Sequence, residues 1–271
     1  MNVAIIAGTD IYSIPGLSLH PHTVATPYGQ VQLFRAEKPH ENLIFLPRHG
    51  PQHTMPPHRI NYRANMKALA MLDVKSALAA YAVGSINPQI TPRGLVALDD
   101  FLDFTTGRIS TFFDGDDAGV AHTIMSPPYC PTLRQRLLEA APAFNLDIRP
   151  TGVYICTNGP RFETPGEIRA YAQLGGDVVG MTGAQEATLA RELGIHFAAV
   201  AISINWAAGV EPTLKIVSAG MEATRSALLS LFIHTLEKTS PFDCLCEHAV
   251  LMSHPPKGDQ ANSLSNQETC L

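Results

Sequence analysis

Short apolar runs that each end on glycine, separated by stretches of helical spacing, constrain this chain more than any other feature. In "NVAIIAGT" (residues 2–9) five of the first seven residues are apolar before Gly8 breaks the run. "ENLIFLPRHG" (41–50) repeats the pattern. Ala64, Ala68, Met71 and Leu72 then share one helical face, and a second apolar strand follows and ends at Gly84. "RPTGVYICTNGPRF" (149–162) and "IHFAAVAISINWAAG" (195–209) are further strand-then-glycine units, separated by the helical stretches "TPGEIRAYAQLGG" and "AQEATLARELG". Strand, loop and helix in repetition predict an α/β fold: a mixed, mostly parallel sheet flanked by helices.

At 271 residues with 45% apolar composition, the chain can bury the core of one large domain, expected over residues 1–251. A last helix is expected through "AGMEATRSALLSLFIHTLEK" and a short one in "PFDCLCEHAVLMS". Residues 252–271, polar and rich in Pro, Gly, Ser and Asn, are expected to form a flexible tail. A net charge of -5 with dispersed basic residues argues against nucleic acid as a partner. No apolar run reaches about 18 residues, so no membrane partner is expected. The first residues enter an apolar strand and not a leader-like segment, so the expected location is cytoplasmic.

In parallel sheets ligands bind beyond the carboxyl ends of the strands, so the residues there carry the chemistry. They are Gly8-Thr9, Arg48-His49-Gly50, Ala82-Val83-Gly84-Ser85, residues 157–162, Met181-Thr182-Gly183 and Asn205-Trp206-Ala207. One neighbouring stretch is unusual: "PRHGPQHTMPPHRINYRAN" (47–65) holds three histidines and three arginines and no acid. A metal site and an anion clamp compete for it. His49 and His53 are four apart, but Gly50, Pro51 and the Met55-Pro56-Pro57 run forbid the helix that would align them, and no carboxylate is near. The anion reading fits better. Arg48 offers a planar fork for two oxygens, His49 a donor, and the Gly8-Thr9 and Gly84-Ser85 turns offer backbone N–H groups and hydroxyls.

Five cysteines (Cys130, Cys156, Cys244, Cys246, Cys270) are too few and too irregular for a disulfide framework. Cys244 and Cys246 form a C-x-C pair that could chelate a soft metal or oxidise. No second pair and no Cys/His set at zinc-finger spacing accompanies it, so reduced thiols and no bound metal are expected.

Four blocks together resemble the methylthioadenosine phosphorylase and trimeric purine nucleoside phosphorylase family. "FLPRHGPQHTMPPHRINYRANMKAL" is similar to the family's R-H-G and N-Y-x-A-N-x-x-A-L block. "DDFLDFTTGRISTFFDG", "CTNGPRFETPGEI" and "GGDVVGMTGAQEATLARELGI" resemble three more, in family order, and the likeness covers roughly residues 2–235. The resemblance implies a single-domain phosphorylase fold, a homotrimer, and cleavage of a purine N-glycosidic bond by inorganic phosphate. It implies that Gly8, Thr9, Arg48, His49, Ala82 and Thr182 bind phosphate, that Phe162 packs on the purine, and that Met181 lies beneath the ribose. His122 falls where the family reaches into a neighbour's site. Glycosidic cleavage passes through an oxocarbenium-like sugar, and phosphate can be both nucleophile and counter-charge. Phosphate is then a co-substrate, and neither metal nor cofactor is expected.

The base is read at Asn205-Trp206-Ala207. Relatives that use adenine nucleosides generally carry Asp-x-Asp here. Asn205 offers a donor for O6 and a contact for N7, while Ala207 leaves no carboxylate for an exocyclic amine; a mismatched pattern costs about 1–3 kcal/mol. A 6-oxopurine is expected, with Asn205, Arg48 and His49 as the catalytic set. Near the 5′ position, Val217, Ala219 and Met221 stand without a histidine, and burial gains about 0.8 kcal/mol per methylene-sized group, which favours a 5′-methylthio group. "CLCEHAVL" resembles a C-terminal helix that relatives fold over this pocket, which makes Val250 a lining residue. The expected substrate is therefore 5′-methylthioinosine. The alternatives are methylthioadenosine, ordinary inosine or guanosine, hydrolysis by water, and a nucleoside-binding module without chemistry. Two departures from the family pattern are Asp10, in place of a glycine, and Tyr81, where Thr or Asn is common.

Overall fold

Alternation along two central strands decides the architecture. The computed structural model describes residues 1–8, 11, 13–213, 215–217, 219–238 and 242–254. In β1 (Asn2–Ala7) the side chains of Ala4 and Ile6 enter one core and those of Val3, Ile5 and Ala7 a second. After β2 (Leu19–Thr26), β3 (Gly29–Ala36), β4 (Leu43–Pro47) and α1 (Tyr62–Met71), the same division recurs in β5 (Val74–Ser85). There Ala77, Ala79, Tyr81 and Val83 face one core, and Leu78 and Ala80 the other. Strands apolar on both faces need a layer on each side. One is built from α1 and, after β6 (Leu95–Ala97), β7 (Asp100–Asp103) and β8 (Val120–Thr123), the other from α2 (Pro131–Ala140). The chain continues through β9 (Ile148–Arg149), β10 (Val153–Cys156), α3 (Pro165–Gln173), β11 (Val178–Gly180), α4 (Gly183–Glu192), β12 (His196–Trp206), α5 (Glu222–Glu237) and β13 (Val250–His254). Helix α4 joins α1 on the first face, and α5 joins α2 on the second.

The main sheet has 11 strands in the order β2-β3-β4-β1-β5-β11-β10-β7, and β12 adds to β5 and carries β6 and then β9. Pairs β1/β4, β1/β5, β5/β12, β7/β10, β10/β11 and β6/β9 are parallel; β2/β3, β3/β4, β5/β11 and β6/β12 are antiparallel. The mixed, mostly parallel sheet between helices is the one expected. Strand β5 pairs with β1 only as far as Ala79, and its last residues, Gly84 and Ser85, pair with β11. The switch of partner splays the sheet, and the crevice opens there.

The helices start where their caps lie. Asn61 Oδ1 accepts the Ala64 N–H at 3.0 Å at the head of α1, and Thr164 and Glu167 form a reciprocal capping box on α3 behind Pro165. The β2–β3 hairpin, α2 and the short strands β6 to β9 escaped the pattern reading, being too brief or too polar for their period. A correction concerns "PFDCLCEHAVLMS": it makes a 3₁₀ turn at Cys246–His248 and then β13, which pairs antiparallel with β8. The free edge of β8 gives Val250, Leu251 and Met252 backbone partners that spacing alone did not reveal. Strand β13 runs to His254, past the expected tail boundary at 252; residues 255–271 lie outside the described ones. Among the described residues no helix is long and apolar enough to cross a membrane.

Candidate active site

A cavity of about 840 Å³ fills the crevice beyond the ends of β4, β5, β11 and β12. It gathers Arg48, His49, Ala82, Phe162, Met181, Thr182, Asn205 and Ala207, all expected from the sequence. Gly8 lies against both side chains: a Cβ there would come within 2.7 Å of Arg48 Nη1 and 3.0 Å of the His49 ring, so a larger residue would have to displace them. Thr9 and Asp10 lie outside the described residues.

Arg48 departs from its expected role. Its Nε donates to Glu186 Oε1 at 2.7 Å and its Nη2 to Glu186 Oε2 at 3.2 Å, so the flat fork holds a buried carboxylate. Nη1 also donates to the Ala80 carbonyl and Nη2 to that of Ile6. Among the described residues one Nη1 proton is left for an anion, and a two-pronged grip on phosphate is not available. Burial works against the Arg48 charge, but the Glu186 carboxylate outweighs it and the guanidinium is held above its ordinary value. Tyr81 accounts for its own departure from the family pattern: its hydroxyl donates to Glu186 Oε2 at 2.9 Å and its ring lies 4.7 Å from the Arg48 centre.

His49 is also corrected. Its Nδ1 lies 2.8 Å from the Met55 carbonyl, which can only accept, so the proton sits on Nδ1 and a neutral ring offers Nε2 as an acceptor. Burial pushes the imidazole down to about 4; the Met55 bond opposes the fall and the Arg48 charge adds to it. At neutral pH this ring suits the O–H of a phosphate monoanion and not a bare oxyanion. Thr182, at the N-cap of α4, makes no side-chain capping bond, and the backbone N–H groups of Thr182 and Gly183 donate to the Tyr154 hydroxyl instead.

The opposite end presents an amide and a carboxylate. Strand β12 bulges at Ile204: Ser203 pairs with Val83 but Asn205 pairs with Gly84. The bulge turns Asn205 into the cavity, and a Cβ on Gly84 would press on its Nδ2 at 3.1 Å. Nδ2 donates to the Trp206 carbonyl at 2.7 Å, leaving a second amide proton and Oδ1 for a base. Glu163, buried in the same wall, accepts the Thr157 hydroxyl on Oε1 at 2.6 Å and keeps Oε2. Phe162 stays 52% exposed on the cavity rim. Arg108 fixes the loops that carry these groups, donating to the carbonyls of Met181 (2.7 Å) and Asn158 (2.7 Å) and to Gln185 Oε1 (2.8 Å).

Other expectations are not met. Met221 is fully buried in the second core, Ala219 offers its carbonyl to Arg93, and the Val217 N–H is tied to Ile204; none of the three lines the cavity. Ile204 and Ile216 supply the apolar wall instead. Val250 and His122 sit in the β8–β13 ribbon, away from this chain's own cavity. Glu163 and Glu186 were missed. Glu186 had a signal: it shares a helical stripe with Gly183, Ala187 and Ala190, and a carboxylate on such a stripe needs a buried partner. The C-x-C pair was expected to stand alone, yet Cys130 and His196 fold against it.

Residues 2–236 match the phosphorylase superfamily. The chain is 49% identical over 215 residues to a probable 6-oxopurine nucleoside phosphorylase from Moorella thermoacetica, covering 79% of this chain and 82% of that one. It is 43% identical to a probable S-methyl-5′-thioinosine phosphorylase from Methanopyrus kandleri, covering 92% and 97%. Its fold superposes with a TM-score of 0.80 on a methylthioadenosine phosphorylase from an antarctic soil metagenomic library, at 30% identity and covering 92% and 90%. The chain belongs to the phosphorylase superfamily, in the branch of the methylthioadenosine and purine nucleoside phosphorylases, and is an enzyme that transfers a pentosyl group.

Proposed function

We propose that the protein cleaves the N-glycosidic bond of 5′-methylthioinosine with inorganic phosphate, giving hypoxanthine and 5-methylthioribose 1-phosphate. The carrying observation is the joint placement of Glu163 and Asn205 in one cavity wall system. A 6-oxopurine presents N1–H, which the free oxygen of Glu163 accepts; adenine presents a lone pair there and meets a buried carboxylate. Asn205 donates to O6 and serves N7, while Ala207 adds no second carboxylate. The 5′ preference rests on the apolar walls at Ile204 and Ile216.

In this reading phosphate lies among Arg48, His49, Gly8 and Thr182 and attacks C1′ as the C1′–N9 bond breaks. The bond pair leaves with the purine, whose N7 takes up a proton from solvent as phosphate releases one, so the base departs neutral. Asn205 Oδ1 accepts the new N7–H and its free Nδ2 proton donates to O6, Glu163 orients the ring through N1–H, and the new C1′–O bond closes the product. No cofactor is required. We further propose a homotrimer in which the β8–β13 ribbon meets a neighbour: Val120, Ile124, Leu251 and Met252 are exposed apolar side chains there, and His122 lies on it. Sedimentation or light scattering giving an active monomer would contradict this.

The test compares kcat/KM for methylthioinosine, methylthioadenosine and inosine, each with and without phosphate. The proposal expects methylthioinosine to be preferred and phosphate to be obligatory. Turnover in water alone would make the protein a nucleosidase, preference for methylthioadenosine would reverse the base assignment, and binding without turnover would leave a nucleoside-binding module.

A further inference from the structure

Four side chains from three distant parts of the sequence converge at the edge of the fold opposite the cavity. Cys130 caps α2, His196 opens β12, Cys244 precedes the 3₁₀ turn that leads to β13, and Cys246 opens it. One donor atom from each lies within 4.8 Å of all the others. Cys244 Sγ is 3.6 Å from Cys130 Sγ, 3.4 Å from Cys246 Sγ and 3.2 Å from His196 Nδ1, and Cys130 Sγ is 3.7 Å from that same nitrogen. A tetrahedral ion with bonds of about 2.3 Å to sulfur and 2.0–2.1 Å to nitrogen spaces its ligands about 3.5–3.8 Å apart. The cluster has the size and donor set of such a site before any ion enters it.

The surroundings point the same way. His196 presents Nδ1 to the sulfurs while its Nε2 has the Glu247 carboxylate 3.6 Å away, beyond hydrogen-bond range but close enough to swing onto a ligating ring. The Leu133 N–H donates to Cys130 Sγ at 3.4 Å and Arg191 Nη1 to Cys246 Sγ at 3.1 Å, so the sulfurs already receive the donors that thiolates need. Arg191 is itself held by the Ile124 carbonyl, and its charge offsets the net negative charge that three thiolates leave on a divalent ion. Phe242 stacks on His196 at 3.7 Å and shields the site, while Cys244 and His196 border a second cavity of about 330 Å³ that offers an entry path.

We propose that Cys130, His196, Cys244 and Cys246 form a closed site for a soft, tetrahedral divalent cation, zinc. Four protein ligands leave no open position, so the site is structural. It lies at the start of β12, while Asn205 lies nine residues on along the same strand, about 30 Å away at 3.3 Å per residue. The ion ties the segment that carries β13, and with it the β8–β13 ribbon, to α2 and the sheet. The inference stands whether or not the proposed reaction is right.

The full chain, purified under reductant, is loaded with zinc, freed of excess metal and assayed for zinc and free thiols. About one zinc per chain is expected, and cobalt in its place should give a thiolate charge-transfer band with tetrahedral visible bands. The double variant Cys244→Ser/Cys246→Ser should lose the zinc and the cobalt spectrum and melt at lower temperature. Should that variant fail to fold, Cys244→Ser alone, at the half-exposed position, should weaken zinc retention against a chelator. Wild-type protein that retains no zinc with its thiols free, variants that hold zinc as well as the wild type, or a disulfide among Cys130, Cys244 and Cys246 in freshly purified protein would each overturn the proposal.

Discussion

The Arg48 guanidinium lies against the Glu186 carboxylate in two contacts, 2.7 Å from Nε to Oε1 and 3.2 Å from Nη2 to Oε2, with both side chains 2% exposed. The pair neutralises itself, so this end of the cavity carries less positive charge than its sequence suggests. Losing one partner of such a pair strands a charge. Arg48→Ala should raise the phosphate KM at least about tenfold and also destabilise the fold by about 3–5 kcal/mol. Glu186→Gln keeps an acceptor for Nε but removes the opposing charge, so it should lower the phosphate KM while lowering the melting temperature. Phosphate kinetics and thermal melts on both variants check this; a raised phosphate KM in Glu186→Gln would show that the carboxylate positions Arg48 and does not mute it.

Gly8→Ala tests the same end without changing a charge. Its Cβ would fall 2.7 Å from Arg48 Nη1, the nitrogen that keeps a proton for the anion. The phosphate KM should rise while the ratio of kcat/KM between 6-oxo and 6-amino nucleosides stays constant. A changed ratio would mean that the two ends of the cavity are coupled.

In the proposed function, base choice rests on Glu163 and Asn205. Glu163→Gln replaces an acceptor by an amide that can rotate, and kcat/KM for methylthioinosine should fall about 10- to 100-fold, the loss of a charge-assisted hydrogen bond worth roughly 1.5–3 kcal/mol. Asn205→Asp should move preference toward methylthioadenosine. The move should be incomplete, because Ala207 still lacks a second carboxylate and Glu163 still opposes N1 of adenine. Unchanged discrimination in both variants would remove these residues from the reading of the base.

His49 gives the fold a defined acid sensitivity. An unfolded chain protonates this histidine near its ordinary 6.5, the folded one only near 4, because burial opposes the charge. Between those values the unfolded state binds more protons. The His49 contribution to stability is therefore complete above about pH 6.5 and is lost as pH falls toward 4. Melting temperatures of wild type and His49→Asn over that range should converge on the acid side; parallel curves would show that His49 charges without cost.

Much of the site was legible because strand ends are marked in sequence. Glycine after an apolar run identified the loops of β1, β4, β5, β10 and β12, and these loops supply most of the cavity. The pairing of charges across 138 residues of sequence, Arg48 with Glu186, was not legible, nor was the cluster of Cys130 and His196 with the C-x-C pair. Neither has a local period. The apolar wall of the cavity was placed a few residues too far along, at Val217, Ala219 and Met221, since apolar residues recur from Ile216 to Met221 and only the path of the backbone distinguishes Ile216.

The sequence by itself determined the layered α/β fold, its longer apolar strands β1, β4, β5, β10 and β12 with helices α1, α3, α4 and α5, and most of the residues available at the crevice, because alternation and helical spacing are written into neighbouring positions. Tertiary structure decided which of those residues remain free to act. It turned Asn205 inward through a bulge, occupied the fork of Arg48 with Glu186, fixed the proton of His49 on the Met55 side, and set Glu163 in the wall. The physical reason is that a buried polar group takes its role from the partners that satisfy it, and those partners arrive from distant parts of the chain only when the layers close.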